Sequence, residues 1–131
     1  MRRFFPAAAV LLAAGCTMAE PVERSGPVPA AVAAAMEGRV AGPPVACVDQ
    51  RGLRGNRAIA GAMLFEGPGD VVYVNQGIGG CQALAHGRAM RTSNPVGRLC
   101  RGDLVTAFDP VSGVEFGGCT LGDFVPYRRP G

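Results

Sequence analysis

The sequence predicts a small all-β domain, a closed or partly closed barrel or sandwich of five to seven short strands. From Val45 onward, short runs of β-branched, aromatic and alternating apolar residues are separated by turn-forming residues, which is typical of short strands. The chain has no Trp, two Tyr and six Phe, so its core is small and benefits from covalent cross-links. Closing the sheet would also remove exposed strand edges, which favours a barrel or sandwich over an open sheet.

The clearest element is a predicted hairpin, in which residues 62–66 and 71–75 flank Gly67-Pro68-Gly69-Asp70. Glycine permits a positive φ and proline presets a turn, so this tetrapeptide favours a tight connection. The remaining predicted strands are residues 45–48, 58–60, 84–90, 103–108 and 114–119, the last two joined by a turn at 109–113. No long helix is expected.

The N-terminus has the layout of a signal peptide over residues 1–15. Arg2 and Arg3 precede an uncharged apolar run of about a dozen residues, well short of the roughly 20 that span a bilayer as a helix. The segment Leu12-Ala13-Ala14-Gly15-Cys16 resembles the lipobox of bacterial lipoproteins, although Leu usually stands where Ala13 does. The resemblance implies lipidation of Cys16 and, because Thr17 is not Asp, sorting to the outer membrane. The alternative is an ordinary secretory signal that is cut after Ala19.

Behind Cys16, residues 16–44 are rich in Ala, Pro, Gly and Val and are predicted to form a tether, with room for a helical turn or two at Ala30 to Met36. As a coil of about 28 residues it would span on the order of 30 Å. The predicted β domain then covers residues 45–127, with a short tail at 128–131. Removal of Arg2 and Arg3 leaves 11 basic against 10 acidic residues, a balance that argues against nucleic-acid binding.

The cysteine count supports this organisation. If Cys16 carries lipid, four of the five Cys remain, and four can pair as structural disulfides. They are Cys47, Cys81, Cys100 and Cys119, too widely spaced for a Cys-x-x-Cys metal or redox centre. Three connectivities are open. We expect Cys47–Cys119 and Cys81–Cys100, because a closed sheet brings its first and last strands together.

The residues that offer chemistry are few. His86 is the single histidine, and a triad with Ser93 or Ser112 and Asp103 or Asp109 lacks any recognisable nucleophile motif. The Gly-rich stretch 77–80 lacks the Lys-Ser/Thr of a phosphate loop, so we interpret it as a turn. We interpret the tripeptide Arg101-Gly102-Asp103 likewise. A basic patch for anions is a possible binding surface, formed by Arg88, Arg91, Arg98 and Arg101.

The order of these residues resembles a family of small bacterial envelope proteins that is known as a domain of unknown function. The similarity rests on the positions of four Cys, a hairpin and a Phe-Pro ending, and it covers residues 45–127. Here these features are Cys47, the 62–75 hairpin, Cys81-Gln82-Ala83-Leu84, Leu99-Cys100-Arg101-Gly102-Asp103 and Cys119 before Phe124-Val125-Pro126. The family implies no catalytic residues.

The sequence therefore predicts a non-enzymatic, membrane-anchored periplasmic module that binds an envelope partner or supports envelope structure. The alternative is a small-ligand or anion-binding barrel that uses the region from Arg88 to Arg101. We expect no cofactor and no metal. Attachment to the membrane would be through the lipid on Cys16.

Overall fold

The computed structural model describes residues 15, 27–94 and 96–131. Within that part of the chain the protein is all-β, with a single short helix, as the sequence predicts. The helix α1 is Ala30–Ala35. The strands are β1 Val40–Ala41, β2 Cys47–Asp49, β3 Gly55–Ile59, β4 Ala62–Glu66, β5 Val72–Asn75, β6 Ala89–Thr92, β7 Arg98–Cys100, β8 Leu104–Phe108, β9 Glu115–Thr120 and β10 Val125–Arg128. Two 3₁₀ turns lie at Gln50–Gly52 and Gln82–Leu84.

The strands form three antiparallel sheets in the described residues. Their orders are β1-β10-β5-β4-β3, β6-β8-β9 and β2-β7. Strand β3 at the edge of the first sheet lies beside β6 of the second, and a bridge joins Val45 to Phe124. The arrangement is a partly closed barrel or sandwich around one main core.

Strand β4 shows how the sequence builds this core. Its side chains alternate between two faces. Met63 and Phe65 enter the main core, whereas Ala62 and Leu64 enter a second cluster beneath α1. Because both faces are buried, the strand is a continuous apolar run. Its bounds and the hairpin to β5 agree with the prediction. At the turn, a Cβ on Gly67 would lie 2.6 Å from the Tyr73 ring, so only glycine fits.

The predicted tether at residues 16–44 is too long. Helix α1 covers the outer face of β4 and β5, where Val32 is completely buried and Met36 nearly so. Strand β1 then pairs with β10, Val40 opposite Arg128. That outer face is apolar, and the Ala-rich segment is the part of the chain that covers it. The domain therefore includes residues 28–44 and extends past residue 127.

The strand predicted at residues 84–90 is also wrong. His86 and Gly87 have φ of 64° and 70°, and two successive left-handed residues break an extended strand. Strand β6 begins only at Ala89. Strand β10 was not predicted because Pro126 lies within it. The Pro126 carbonyl accepts a hydrogen bond from the N–H of Gly42, which lies just beyond the end of β1. At this position the missing N–H of proline removes no hydrogen bond between β1 and β10.

The predicted disulfide pairing is corrected as well. The bonded pairs are Cys47–Cys100 and Cys81–Cys119, with Cα–Cα distances of 4.0 and 5.4 Å. The prediction assumed that Cys47 lies on the first strand of a sheet that closes onto its last. Instead β2 pairs with β7, which places Cys47 directly opposite Cys100. Both disulfides connect elements that are far apart in sequence.

Candidate functional site

The connection between β8 and β9 at residues 109–114, together with the first two residues of β9, is the most distinctive surface of the domain, and we call residues 109–116 the hairpin tip. Asp109 organises it. Its carboxylate accepts from the backbone N–H groups of Val111 and Ser112 at 2.7 and 2.8 Å, and its carbonyl accepts from Gly113. The hydrogen bonds from the N–H groups of Ser112 and, second, of Val111 hold the pKa of the Asp109 carboxyl below its usual value. The charge of Arg88 lowers this pKa to a smaller degree. The turn predicted at residues 109–113 is confirmed.

This ordered turn presents apolar side chains to solvent. Val111 is 95% exposed, Val114 52% and Phe116 42%. Valine is rare at such positions, because turns of this type usually carry polar residues. Single exposed apolar residues need no explanation, whereas three within six positions, two on a hydrogen-bonded turn and one at the start of β9, form a candidate contact surface. Sequence reasoning did not single them out, although two Val beside the turn-forming Pro110 and Gly113 were a usable signal.

Arg88 and Arg91 lie next to this tip. The Arg88 guanidinium is 3.8 Å from the centroid of the Phe116 ring and donates to the carbonyl of Ala83 at 3.1 Å. Arg91 forms an ion pair with Glu115 at 2.8 Å and lies 4.8 Å from the Phe108 ring. Both predicted arginines thus have partners within the domain, and the role of Arg88 and Arg91 in binding an anion stays a prediction.

Arg98 and Arg101 lie on other elements. Arg98 is in β7, opposite Asp49. The pKa of Asp49 is lowered chiefly by a hydrogen bond from Arg51, with a smaller effect of the Arg98 charge. Arg101, in the turn after β7, lies 3.6 Å from the buried carboxylate of Asp123. The four predicted arginines are therefore distributed among separate local contacts.

The tripeptide Arg101-Gly102-Asp103 forms a turn before β8, as predicted. Gly102 has a φ of +93°. The Asp103 carboxylate accepts from the backbone of Cys100 at 2.8 Å and from the side chain of Asn94 at 2.7 Å. This carboxylate stabilises the turn, and its interactions are internal.

The residues of the hypothetical triad are not assembled. His86 is exposed, has a positive φ and makes no hydrogen bond within the described residues. The Ser112 hydroxyl accepts from the backbone of Val114, and Asp109 and Asp103 stabilise their own turns. Ser112, Asp109 and Asp103 thus have local structural partners, and none of them contacts His86 in the described residues.

The Gly-rich stretch 77–80 is a turn beside Cys81, as predicted, and its anchor is Asn75. This completely buried side chain accepts from the N–H groups of Gly77 and Gly122, both at 2.9 Å, and donates to the carbonyl of Gly122 at 2.8 Å. Ile78 donates to Thr120. Asn75 is a structural residue that sequence reasoning missed, because nothing local marks it as buried.

A cleft of about 220 Å³ is the other candidate site. Phe65 and Leu99 form its apolar floor, and the polar side chains around it are those of Gln50, Arg54, Asn56 and Thr92. Gln50 donates to Thr92 at 3.5 Å, and Arg54 donates to the Gly69 carbonyl at 2.9 Å. The cleft is smaller than the roughly 300 Å³ at which pockets for small organic ligands begin. It is therefore the weaker candidate.

Cys16 and the predicted signal peptide lie outside the described residues, apart from Gly15. Over the part that the structure does describe, no three His, Cys, Asp or Glu side chains are grouped so that they could hold a metal ion. The same part contains no helix with the length and apolarity needed to cross a bilayer. Comparisons with protein-family models, with curated proteins and with solved structures found no match to this chain. The resemblance to a four-Cys envelope family stays a prediction.

Proposed function

We propose that this protein is a non-enzymatic module of the bacterial envelope, exported by its signal peptide, anchored through lipid on Cys16 and bound to a partner through the hairpin tip. The observation that supports this proposal is the tip itself. Val111 and Val114 are held in solvent by a turn whose own hydrogen bonds are satisfied. A surface of this kind can bind without rearrangement, which keeps the entropic cost of association low.

The two disulfides suit such a role in an oxidising compartment. Cys119 belongs to β9, only three residues from Phe116, and its bond to Cys81 fastens the base of the hairpin to the core. The Arg88 to Arg101 region offers less support for the anion-binding alternative, because three of its four predicted guanidinium groups, those of Arg88, Arg91 and Arg101, have partners within the domain.

In-cell photocrosslinking tests the binding role. A photoreactive amino acid at position 111 is expected to give a crosslinked product, whereas the same residue at position 96 is not. Val96 is the matched control because it is a valine, is 75% exposed and lies in the connection between β6 and β7. Equal labelling at both positions, or none at either, would contradict a partner at the tip.

Incorporation of labelled palmitate tests the anchor separately. The wild-type chain is expected to incorporate label and the Cys16→Ser variant is not. If the variant were labelled equally, lipidation at Cys16 would be excluded, while the binding role of the tip would still stand on its own test.

A further inference from the structure

We infer that the partner of the hairpin tip is the surface of a phospholipid bilayer, into whose interfacial region Val111, Val114 and Phe116 insert. This inference rests on the proposed function, for which it names the partner. It gives the domain a second membrane contact besides the lipid on Cys16.

The hydrogen bonding of the tip makes insertion physically acceptable. A backbone N–H that enters an apolar region without a partner costs several kcal/mol. Here the N–H groups of Val111 and Ser112 donate to Asp109, that of Gly113 to the Asp109 carbonyl, and that of Val114 to Ser112. Four successive N–H donors at the apex are already satisfied, so insertion leaves only the carbonyl groups of the turn to be hydrated, which the water of the interfacial region can do.

The charges around the tip fit a zwitterionic surface. Two acidic residues, Asp109 and Glu115, are matched in number by two arginines, Arg88 and Arg91, and Arg91 forms a direct ion pair with Glu115. The tip region is neutral as a whole. It therefore gains no long-range attraction to an anionic protein or glycan, and none is needed at a headgroup layer that contains both signs. Arginine stems and aromatic rings are also well suited to the boundary between headgroups and acyl chains.

The length of chain before the domain places this tip near a membrane. Residues 16–27 contain eleven peptide links, which reach at most about 40 Å when fully extended. A compact domain of about 100 residues has a diameter of roughly 35 Å. With Cys16 lipidated, no part of the domain could lie farther than about 75 Å, roughly two diameters, from the bilayer, which raises the effective concentration of the surface. Three apolar side chains that bind weakly from free solution gain from this confinement.

Tryptophan fluorescence provides a direct test, because the chain contains no Trp. Val111→Trp and, as the matched control, Val96→Trp are purified as the mature protein and reconstituted into phosphatidylcholine and phosphatidylethanolamine vesicles. We expect the emission of Val111→Trp to shift to shorter wavelength and to be quenched by lipids brominated in their acyl chains. Val96→Trp should keep the emission of a water-exposed indole. High salt should not reverse the shift, because the tip is neutral.

The same emission from both variants would refute insertion. A second variant guards against an effect of Trp itself: in a Phe116→Trp background, Val111→Asp should abolish the shift, whereas Val96→Asp should not. If the vesicle signals are absent while position 111 still crosslinks to a protein in cells, the lipid inference is wrong and the proposed binding role stands. If neither signal appears, both are wrong.

Discussion

Disulfide connectivity yields the sharpest test of the architecture. Replacing both members of a bonded pair with Ala removes one cross-link and leaves the other intact, so Cys47→Ala/Cys100→Ala should retain Cys81–Cys119. The crossed variant Cys47→Ala/Cys119→Ala removes one partner from each bond. It should therefore carry two more free thiols than the wild-type protein.

The size of the effect follows from the loops that each bond closes. The separations are 53 residues for Cys47–Cys100 and 38 for Cys81–Cys119. On the chain-entropy treatment, each constraint raises the free energy of the unfolded chain by about 4 kcal/mol. A small domain has only about 5–15 kcal/mol of total stability, so the loss of either bond should be large and the crossed variant should be less stable than Cys47→Ala/Cys100→Ala.

Urea unfolding measures the free energy of each variant, and thiol titration in denaturant without reductant counts its unpaired cysteines. Cys81 is buried, and Ala is chosen because it leaves no unsatisfied hydroxyl there. The assignment fails if Cys47→Ala/Cys119→Ala shows no additional thiols and is more stable than Cys47→Ala/Cys100→Ala. That result would restore the pairing expected from sequence.

Three further predictions concern the described core and the hairpin tip. Val32→Ala should lower the free energy of unfolding by about 2 kcal/mol, because it opens a cavity beneath α1. Val40→Ala, at an exposed site, should change it by less than about 0.5 kcal/mol. Urea unfolding measures both variants, and equal effects would contradict the packing of the helix. Asn75→Ala should lower the free energy of unfolding by about 3 kcal/mol, because it leaves the N–H and carbonyl groups of Gly122 unsatisfied. A decrease of less than about 1 kcal/mol in the same assay would contradict this, since water would then replace the side-chain amide. The lowered pKa of Asp109 means that its ionised form stabilises the fold above the unfolded pKa of about 3.9 and that this contribution is lost as the pH falls through the folded pKa. The free energy of unfolding, measured from pH 5 downward, should thus decline less in Asp109→Asn than in the wild type. If the two proteins lost stability in parallel over this pH range, the contribution of ionised Asp109 would be refuted.

The all-β class and the central hairpin were predictable because their signals are local. The run Met63-Leu64-Phe65 and the Gly-Pro-Gly-Asp turn specify a strand and a reversal within a few residues. The turn at Asp109 is predictable for the same reason, since its carboxylate bonds to the backbone two and three residues ahead. Such features need no knowledge of the rest of the fold.

The errors arise where distant contacts decide the structure. Ala30–Ala35 resembles a linker in sequence and becomes ordered only because Leu64, Val72 and Val74 leave an apolar face to be covered. The pairing of Cys47 with Cys100 depends on the β2–β7 register, which no local pattern encodes. The left-handed backbone of His86 ends a stretch that otherwise resembles a strand.

The candidate site could be predicted only in part, for a related reason. Arginine clustering in sequence suggested one patch, yet Arg91 projects from β6 toward Glu115 on β9, while Arg101 turns to Asp123. Residues that are close in sequence separate in the fold when the strands that carry them belong to different sheets. The exposure of Val111 likewise depends on the turn that holds it away from the core.

The shortened tether changes what the proposed lipid anchor on Cys16 would do. A linker of about 28 residues, as the sequence alone indicated, would let the domain explore its surroundings with little preference for the bilayer. With α1 and β1 incorporated in the fold, residues 17–26 alone would join a lipidated Cys16 to the described domain, which begins at Pro27, and this length reaches at most about 40 Å. Under the proposed anchoring, association of the tip with the bilayer would be effectively intramolecular, and the entropic cost of a second contact would fall. Inserting a flexible segment between Cys16 and Pro27 should consequently weaken the Trp signal at position 111 progressively with length. A signal that is independent of insert length would show that tip and anchor act separately.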